Sequence, residues 1–244
     1  MKHTITIFKR ELVGYFSTPV AYVFISVFLF LAGLFTFNLG GFFERGQADL
    51  RPFFDFLPWL FLFLVPAISM RLWAEERRQG TIELLLTLPI SMTQAVLGKF
   101  LAAWAFAAVA LMLTFPLWIT VSVLGDPDHG VIIASYAGGI LFAGGFLSIG
   151  SCISALTKNQ VVAFVLSVVV CFLFMLTSLP PVMSMLNGWM DPVLLDAIRS
   201  FSFWAHFQSI TKGVIDVRDL IFFGSLITFF LFTNALVLDI KKAN

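Results

Sequence analysis

Charge is what this sequence has least of. Only 12% of its 244 residues are Asp, Glu, Lys or Arg, against roughly 25% in an ordinary soluble domain. A soluble chain of this length buries a core but still needs a polar surface. Here 59% of residues are hydrophobic and the charges are bunched into short segments, so the stretches between them must face lipid or one another. The net charge is +1, with no basic patch or stripe, so no nucleic-acid partner is expected. Thirty Phe and six Trp suit lipid contact and an interfacial aromatic belt better than base stacking.

Cysteine is equally scarce. Cys152 and Cys171 fall inside apolar runs, where free Cys behaves as a small hydrophobe, and neither a disulfide nor a metal role is expected. The sequence also lacks a G-x-x-x-x-G-K-[ST] loop, an H-E-x-x-H pair and a paired-Cys motif. No catalytic residue, cofactor site or metal site is therefore expected in this chain. Ionisable residues are nearly missing from the apolar runs: Asp55 sits near one end, and Arg71, Lys158 and Asp239 sit at edges. That speaks against a secondary carrier, which keeps such groups within its spans. It also speaks against a lipid-acting membrane enzyme, since Asp191, Asp196 and His206 are scattered without ligand spacing. No small-residue cleavage site follows the first apolar run, so a cleaved signal peptide is not expected.

What the sequence does contain is six apolar runs of membrane-crossing length: Val20–Phe37, Phe53–Met70, Gly98–Leu124, Val131–Leu156, Val161–Leu179 and Leu220–Leu238. None shows strand-type alternation, which excludes a β-barrel. With the N-terminus inside, the inner segments carry Lys2, Lys9, Arg10, Arg71, Arg77, Arg78, Lys99, Lys158, Lys241 and Lys242. The outer ones hold Arg45, Arg51, Arg199, Lys212 and Arg218. This asymmetry places both termini in the cytoplasm. In the fourth run Ala134, Gly138, Gly139, Ala143, Gly144 and Ser148 form small-xxx-small pairs, which permit either a tight bundle or a dimer seam.

Three segments lie outside the runs. In residues 3–16, Ile5, Phe8, Leu12 and Tyr15 recur at helical spacing with Lys9, Arg10 and Glu11 largely opposite. Such a helix lies along a membrane surface, although a plain positive flank that fixes topology would read similarly. Pro19 then opens the first span. Residues 71–91 predict a helix, a break and a second helix. Arg71 can pair with Glu75, and Glu75 with Arg78, along one face. Gly80 stops that helix, Thr81 can cap the next with Glu83 in its first turn, Pro89 ends it, and Ser91-x-x-Gln94 is a capping box. A surface charged at one end and apolar at Leu84-Leu85-Leu86 suits docking to another protein; the plainer reading is that the charges hold topology while the leucines pack beneath the membrane. Residues 180–218 predict an outer, half-buried helix with Phe203, Phe207, Ile210 and Val214 on one face, and Asp216 and Asp219 capping the last span.

The run Glu75-Glu76-Arg77-Arg78-Gln79-Gly80-Thr81-Ile82-Glu83-Leu84-Leu85-Leu86-Thr87-Leu88-Pro89-Ile90-Ser91 resembles the signature of type-2 ABC exporter permeases. Within these it is most similar to the branch of gliding-motility and NosY-type permeases. Two other stretches share the likeness: Phe8-Lys9-Arg10-Glu11-Leu12-x-x-Tyr15-Phe16-x-x-Pro19, and His206-Phe207-x-x-Ile210-x-x-Gly213-Val214-Ile215-Asp216-x-Arg218-Asp219-Leu220. The resemblance implies an all-α integral membrane fold: residues 1–18 as an amphipathic interface helix with Phe8, Lys9, Arg10, Glu11 and Tyr15, then residues 19–244 as a six-span permease domain. A cytoplasmic coupling helix lies between spans 2 and 3, and short periplasmic helices precede span 6. It implies that Glu75, Glu76, Arg77, Arg78, Gly80, Thr81 and Glu83 contact a separate ABC ATPase, present in two copies and holding the ATP and Mg. Implied too are a homodimer or a pairing with a related permease, a possible periplasmic or auxiliary membrane component, and residence in a bacterial inner membrane. The expected function is ATP-driven export or, alternatively, mechanical transmission by a scaffold that moves no substrate.

Overall fold

The computed structural model describes residues 2–81, 90–177, 179–186 and 190–243, and no strand occurs among them. Helix α1 spans Lys2–Phe16, and α2 spans Pro19–Leu34 and runs on through a π-helical turn, Phe35–Leu39. Then come α3 (Arg51–Ser69), α4 (Arg71–Gln79), α5 (Met92–Met112), α6 (Phe115–Leu124) and α7 (His129–Leu156). The remainder is α8 (Gln160–Leu176), three short helices α9 (Pro180–Leu186), α10 (Pro192–Ser200) and α11 (Phe203–Ile210), and α12 (Val217–Ala243).

Among the described residues, five stretches are long and apolar enough to cross a membrane: Pro19–Leu39, Arg51–Gln79, Met92–Leu124, His129–Leu156 and Val217–Ile240. A helix also covers the fifth apolar run, but α8 has only 17 residues. At 1.5 Å per residue it reaches about 26 Å, slightly less than a hydrocarbon core of about 30 Å.

Helix α7 is the centre of the bundle and packs against α3, α5, α8, α11 and α12. The cause lies in its small residues, which carry no side chain to hold neighbours away. A Cβ on Gly138 would stand 2.8 Å from Ile210, one on Gly139 would stand 3.0 Å from both Leu57 and Leu111, and one on Gly144 would stand 2.9 Å from the Trp104 indole. Gly145 lies against Phe203, and Gly150 against Ser69. The stripe thus serves close packing inside one copy. Around it Phe142, Phe146, Phe203, Phe207 and Phe223 form a buried aromatic cluster with edge-on geometries, Phe142 and Phe207 at 5.3 Å for example, the arrangement that aromatic quadrupoles favour.

Local chemistry fixes the helix ends. The Ser91–Gln94 capping box forms and starts α5 at Met92, six residues before the Gly98 start predicted for the third span. That span also breaks at Leu113–Thr114, where the Thr114 hydroxyl contacts the Leu111 carbonyl and the Tyr136 hydroxyl, before α6 resumes with Pro116 in its first turn. Asp128 and Asn159 cap α7 and α8 through their side chains. At the α11 end, Phe203, Phe207 and Ile210 are buried as predicted, but Val214 is exposed, because the helix stops at Ile210 and Gly213 turns the chain at φ 86°. Asp216 accepts the Arg218 amide, whereas Asp219 reaches back to His206.

Candidate functional site

Helix α4 is a short extension of α3, set off by a break at Met70. Ser154 of α7 stitches that break. Its hydroxyl donates to the Met70 carbonyl at 2.9 Å and accepts the Trp73 and Ala74 amides at 3.1 Å each. These are amides that the start of a helix leaves without an intrahelical partner. Leu72, Trp73 and Ala74 are buried, and the Trp73 indole donates to Ser151, which also accepts from Asn234 of α12 at 2.7 Å. One turn on, Arg77 donates to the Ala155 carbonyl at 2.8 Å, placing a cation at the negative end of the α7 dipole. Helix α4 is therefore bolted to the end of α7 along one side. On its free side Arg78, Gln79 and Gly80 are exposed, and Gly80 closes the helix in the left-handed region, φ 71°, ψ 4°, as its position in the sequence predicts.

The charges at this end are organised around one buried lysine. Lys99 lies eight residues into α5 and its side chain is only 4% exposed. Its ammonium group lies 2.8 Å from Glu76 Oε1 on α4 and 3.4 Å from Glu11 Oε1 on α1, and stands 5.2 Å above the Trp73 ring. Arg10 pairs with Glu11 at 2.6 Å, and Arg71 with Glu75 at 2.9 Å. Burial alone would raise the Glu11 carboxyl, but Lys99 and Arg10 outweigh it and hold it below the usual Glu range. Burial, and then the Glu11 charge, push the Tyr15 phenol above its ordinary range.

The structure distributes the predicted site residues over different tasks. Glu76 and Arg77 face into the bundle, while Glu75 turns to Arg71 and Gln79, not to Arg78. Thr81 donates to the Glu76 carbonyl at 3.4 Å. Glu83, the Leu84–Leu86 run and the stop at Pro89 lie outside the described residues. On α1 the packed face is rotated from the predicted one. Ile7 is buried against Gly98, Glu11 points inward, and Ile5 is 51% exposed. The reason is tertiary: an opposite charge on α5 draws Glu11 to the packed face. Lys9 and Arg10 are exposed and Phe8 half-buried, and Tyr15 stacks on Phe106 at 5.1 Å.

Sequence reasoning missed Lys99, Trp73, Ser151, Ser154 and Asn234. A signal for Lys99 was present: it is the lone charge between Ser91 and Asp126, and the capping box that starts the helix at Met92 puts it two turns inside. The far end of the bundle holds a second buried polar pair. There His206 Nδ1 is 2.6 Å from Asp219 Oδ1 and Nε2 is 2.9 Å from the Ser200 carbonyl. Since a carbonyl only accepts, Nε2 is the donor. Among the described residues no group of three His, Cys, Asp or Glu could hold a metal ion.

An all-helical bundle with membrane-length apolar helices defines a multi-pass membrane protein, here with a short amphipathic helix held at one end by buried charge. A sequence model described as ABC-2 family transporter protein matches residues 43–238, most of the chain. The chain belongs to that family, and as such is a permease subunit of an ABC transporter, a membrane component whose family works with an ATPase partner. No curated protein matches it.

Proposed function

We propose that the chain is the six-span permease half of a type-2 ABC exporter of the gliding-motility and NosY-type branch, and that the α4 end is where a separate ATPase docks. On this reading two copies, or one copy and a related permease, sit on two ATPase subunits that bind the ATP and Mg. Helix α8 is the fifth of the six spans, both termini are cytoplasmic in a bacterial inner membrane, and a periplasmic or auxiliary component can join at the α11 end. The observation that carries the reading is α4 itself. It is anchored by Ser154 and Arg77 to the central helix, and it presents Arg78, Gln79 and Gly80 outward. A surface held that stiffly transmits force instead of absorbing it. Glu75, Thr81 and Glu83 complete the contact region, with Glu76 and Arg77 supporting it from behind, and α1 forms the interface helix beside it.

The test is affinity purification of the tagged chain in mild detergent, with mass identification of what accompanies it. A P-loop ATPase near one copy per chain is expected, lost with Arg78→Glu and retained with Lys158→Glu. Recovery of the stable chain alone across several detergents sinks the docking reading. One observation favours mechanical transmission without cargo: the middle of a single copy is filled by the Phe142, Phe146, Phe203, Phe207 and Phe223 cluster. Cargo transfer into vesicles separates the two readings.

A further inference from the structure

Three elements far apart in the sequence meet at one ammonium group. We infer that Lys99 is a positioning residue: an ionic joint that locks α1 and α4 to α5, so that the three move as a single body when the α4 end is loaded. The inference deepens the docking reading and rests on it for its purpose, but the joint itself is a property of this chain alone.

The argument begins with the donor count. A lysine ammonium has three N–H donors and no acceptor. Here one is directed at Glu76 of α4, 2.8 Å away, one at Glu11 of α1, 3.4 Å away, and the third side stands over the Trp73 face, itself part of α4. The lysine is nearly inaccessible to water, so among the described residues its counter-charges are those two carboxylates, and the low local dielectric strengthens both attractions. The surroundings are balanced: Arg10 and Arg71 neutralise Glu11 and Glu75, leaving Lys99 against Glu76. Apolar contacts alone would let α1 slide along α5, because Ile7 against Gly98 and Tyr15 against Phe106 are non-directional. A charged pair with fixed partners sets register. Glu76 also has Oε2 buried without a hydrogen-bond partner among the described residues, so its carboxylate is held by Lys99 through Oε1.

The geometry sets up an asymmetry that a mere stability role lacks. Without Lys99, Glu11 and Glu76 become neighbouring carboxylates on different elements, and the joint turns from attraction to repulsion. Replacing all three by neutral groups removes both the attraction and the repulsion and leaves only packing.

The experiment is a spin-label distance measurement on the full chain in lipid bilayers, with labels at Val13 on α1 and Gln79 at the end of α4, both exposed. The native chain is expected to give one narrow distance distribution. Lys99→Met is expected to broaden and lengthen it. Because that variant can fail to fold, Lys99→Met combined with Glu11→Gln and Glu76→Gln is measured beside it. This triple variant leaves no uncompensated buried charge, and it is expected to fold yet retain the broad distribution. A native-width distribution in the triple variant overturns the ionic joint, since packing alone would then hold the elements. Glu11→Gln is expected to loosen α1 while a second label pair, Gln79 and Leu101, stays narrow; loss of both together also overturns the assignment. None of these measurements needs an ATPase, so failure to recover one by affinity purification would end the docking reading and leave the joint standing.

Discussion

At the scale of single residues the bundle is decided by where side chains are absent. Gly145 and Gly150 of α7 receive Phe203 and Ser69, whereas Gly224 on α12 faces open space. Gly145→Val is therefore expected to lower stability by about 1–3 kcal/mol or more through overpacking. Gly224→Ala is expected to be neutral or to stabilise by up to about 1 kcal/mol, because a mid-helix Gly is the poorer helix former. Thermal unfolding in one detergent, read for both variants, checks the contrast. Glu11 gives a pH prediction whose sign follows from its direction of shift. Its carboxyl is held below the usual Glu range in the folded chain, so the contribution is fully present above the unfolded value of about 4.3 and is lost as pH falls through the lower folded value. Proteolytic release of α1 is expected to rise on acidification below about pH 4, and Glu11→Gln is expected to flatten that rise. Equal slopes in both chains would contradict the assignment.

At the scale of elements the question is what holds α4 in place. Ser154 satisfies two helix-start amides and one carbonyl across the Met70 break. Ser154→Ala leaves buried amides unpaired, at about 1–3 kcal/mol each, and hydrogen exchange of the Trp73 and Ala74 amides is expected to quicken while that of mid-α7 amides is unchanged. Much of this element was legible in sequence. The Gly80 stop, the Arg71–Glu75 pair and the Ser91–Gln94 box are short-range signals, and all three form. The inward face of Glu11 was not legible, because helical periodicity assigns charges to the outside and its partner is 88 residues away on α5. Lys99 was hidden for a related reason. Topology counting treats every lysine as a loop marker, and burial beneath Trp73 depends on how α4 folds back. Val214 failed because the period continued on paper past Ile210, where the chain turns at Gly213.

At the scale of the whole molecule the helices impose an arrangement across the bilayer that can be measured directly. Single cysteines at Gln79 and Lys158 are expected to react with a membrane-impermeant maleimide only from the side that carries the termini, and cysteines at Arg45 and Asp126 only from the other. Labelling of Gln79 and Arg45 from the same face would overturn the six-span arrangement. With 17 residues, α8 is expected to tolerate a thin bilayer better than a thick one. Reconstitution in lipids of increasing chain length should lower stability, by fractions of a kcal/mol per Å of mismatch.

Helix α7 has a consequence at this scale. It is an unbroken helix of 28 residues, about 42 Å long, clasped by Arg77 near one end and seating Ile210 on Gly138 toward the other. It links the α4 end of the bundle to the α11 end. Leu113–Thr114 and Met70 interrupt the neighbouring spans, whereas α7 runs as one helix from His129 to Leu156. Within a single copy, the two ends of the bundle are thus joined through one continuous element.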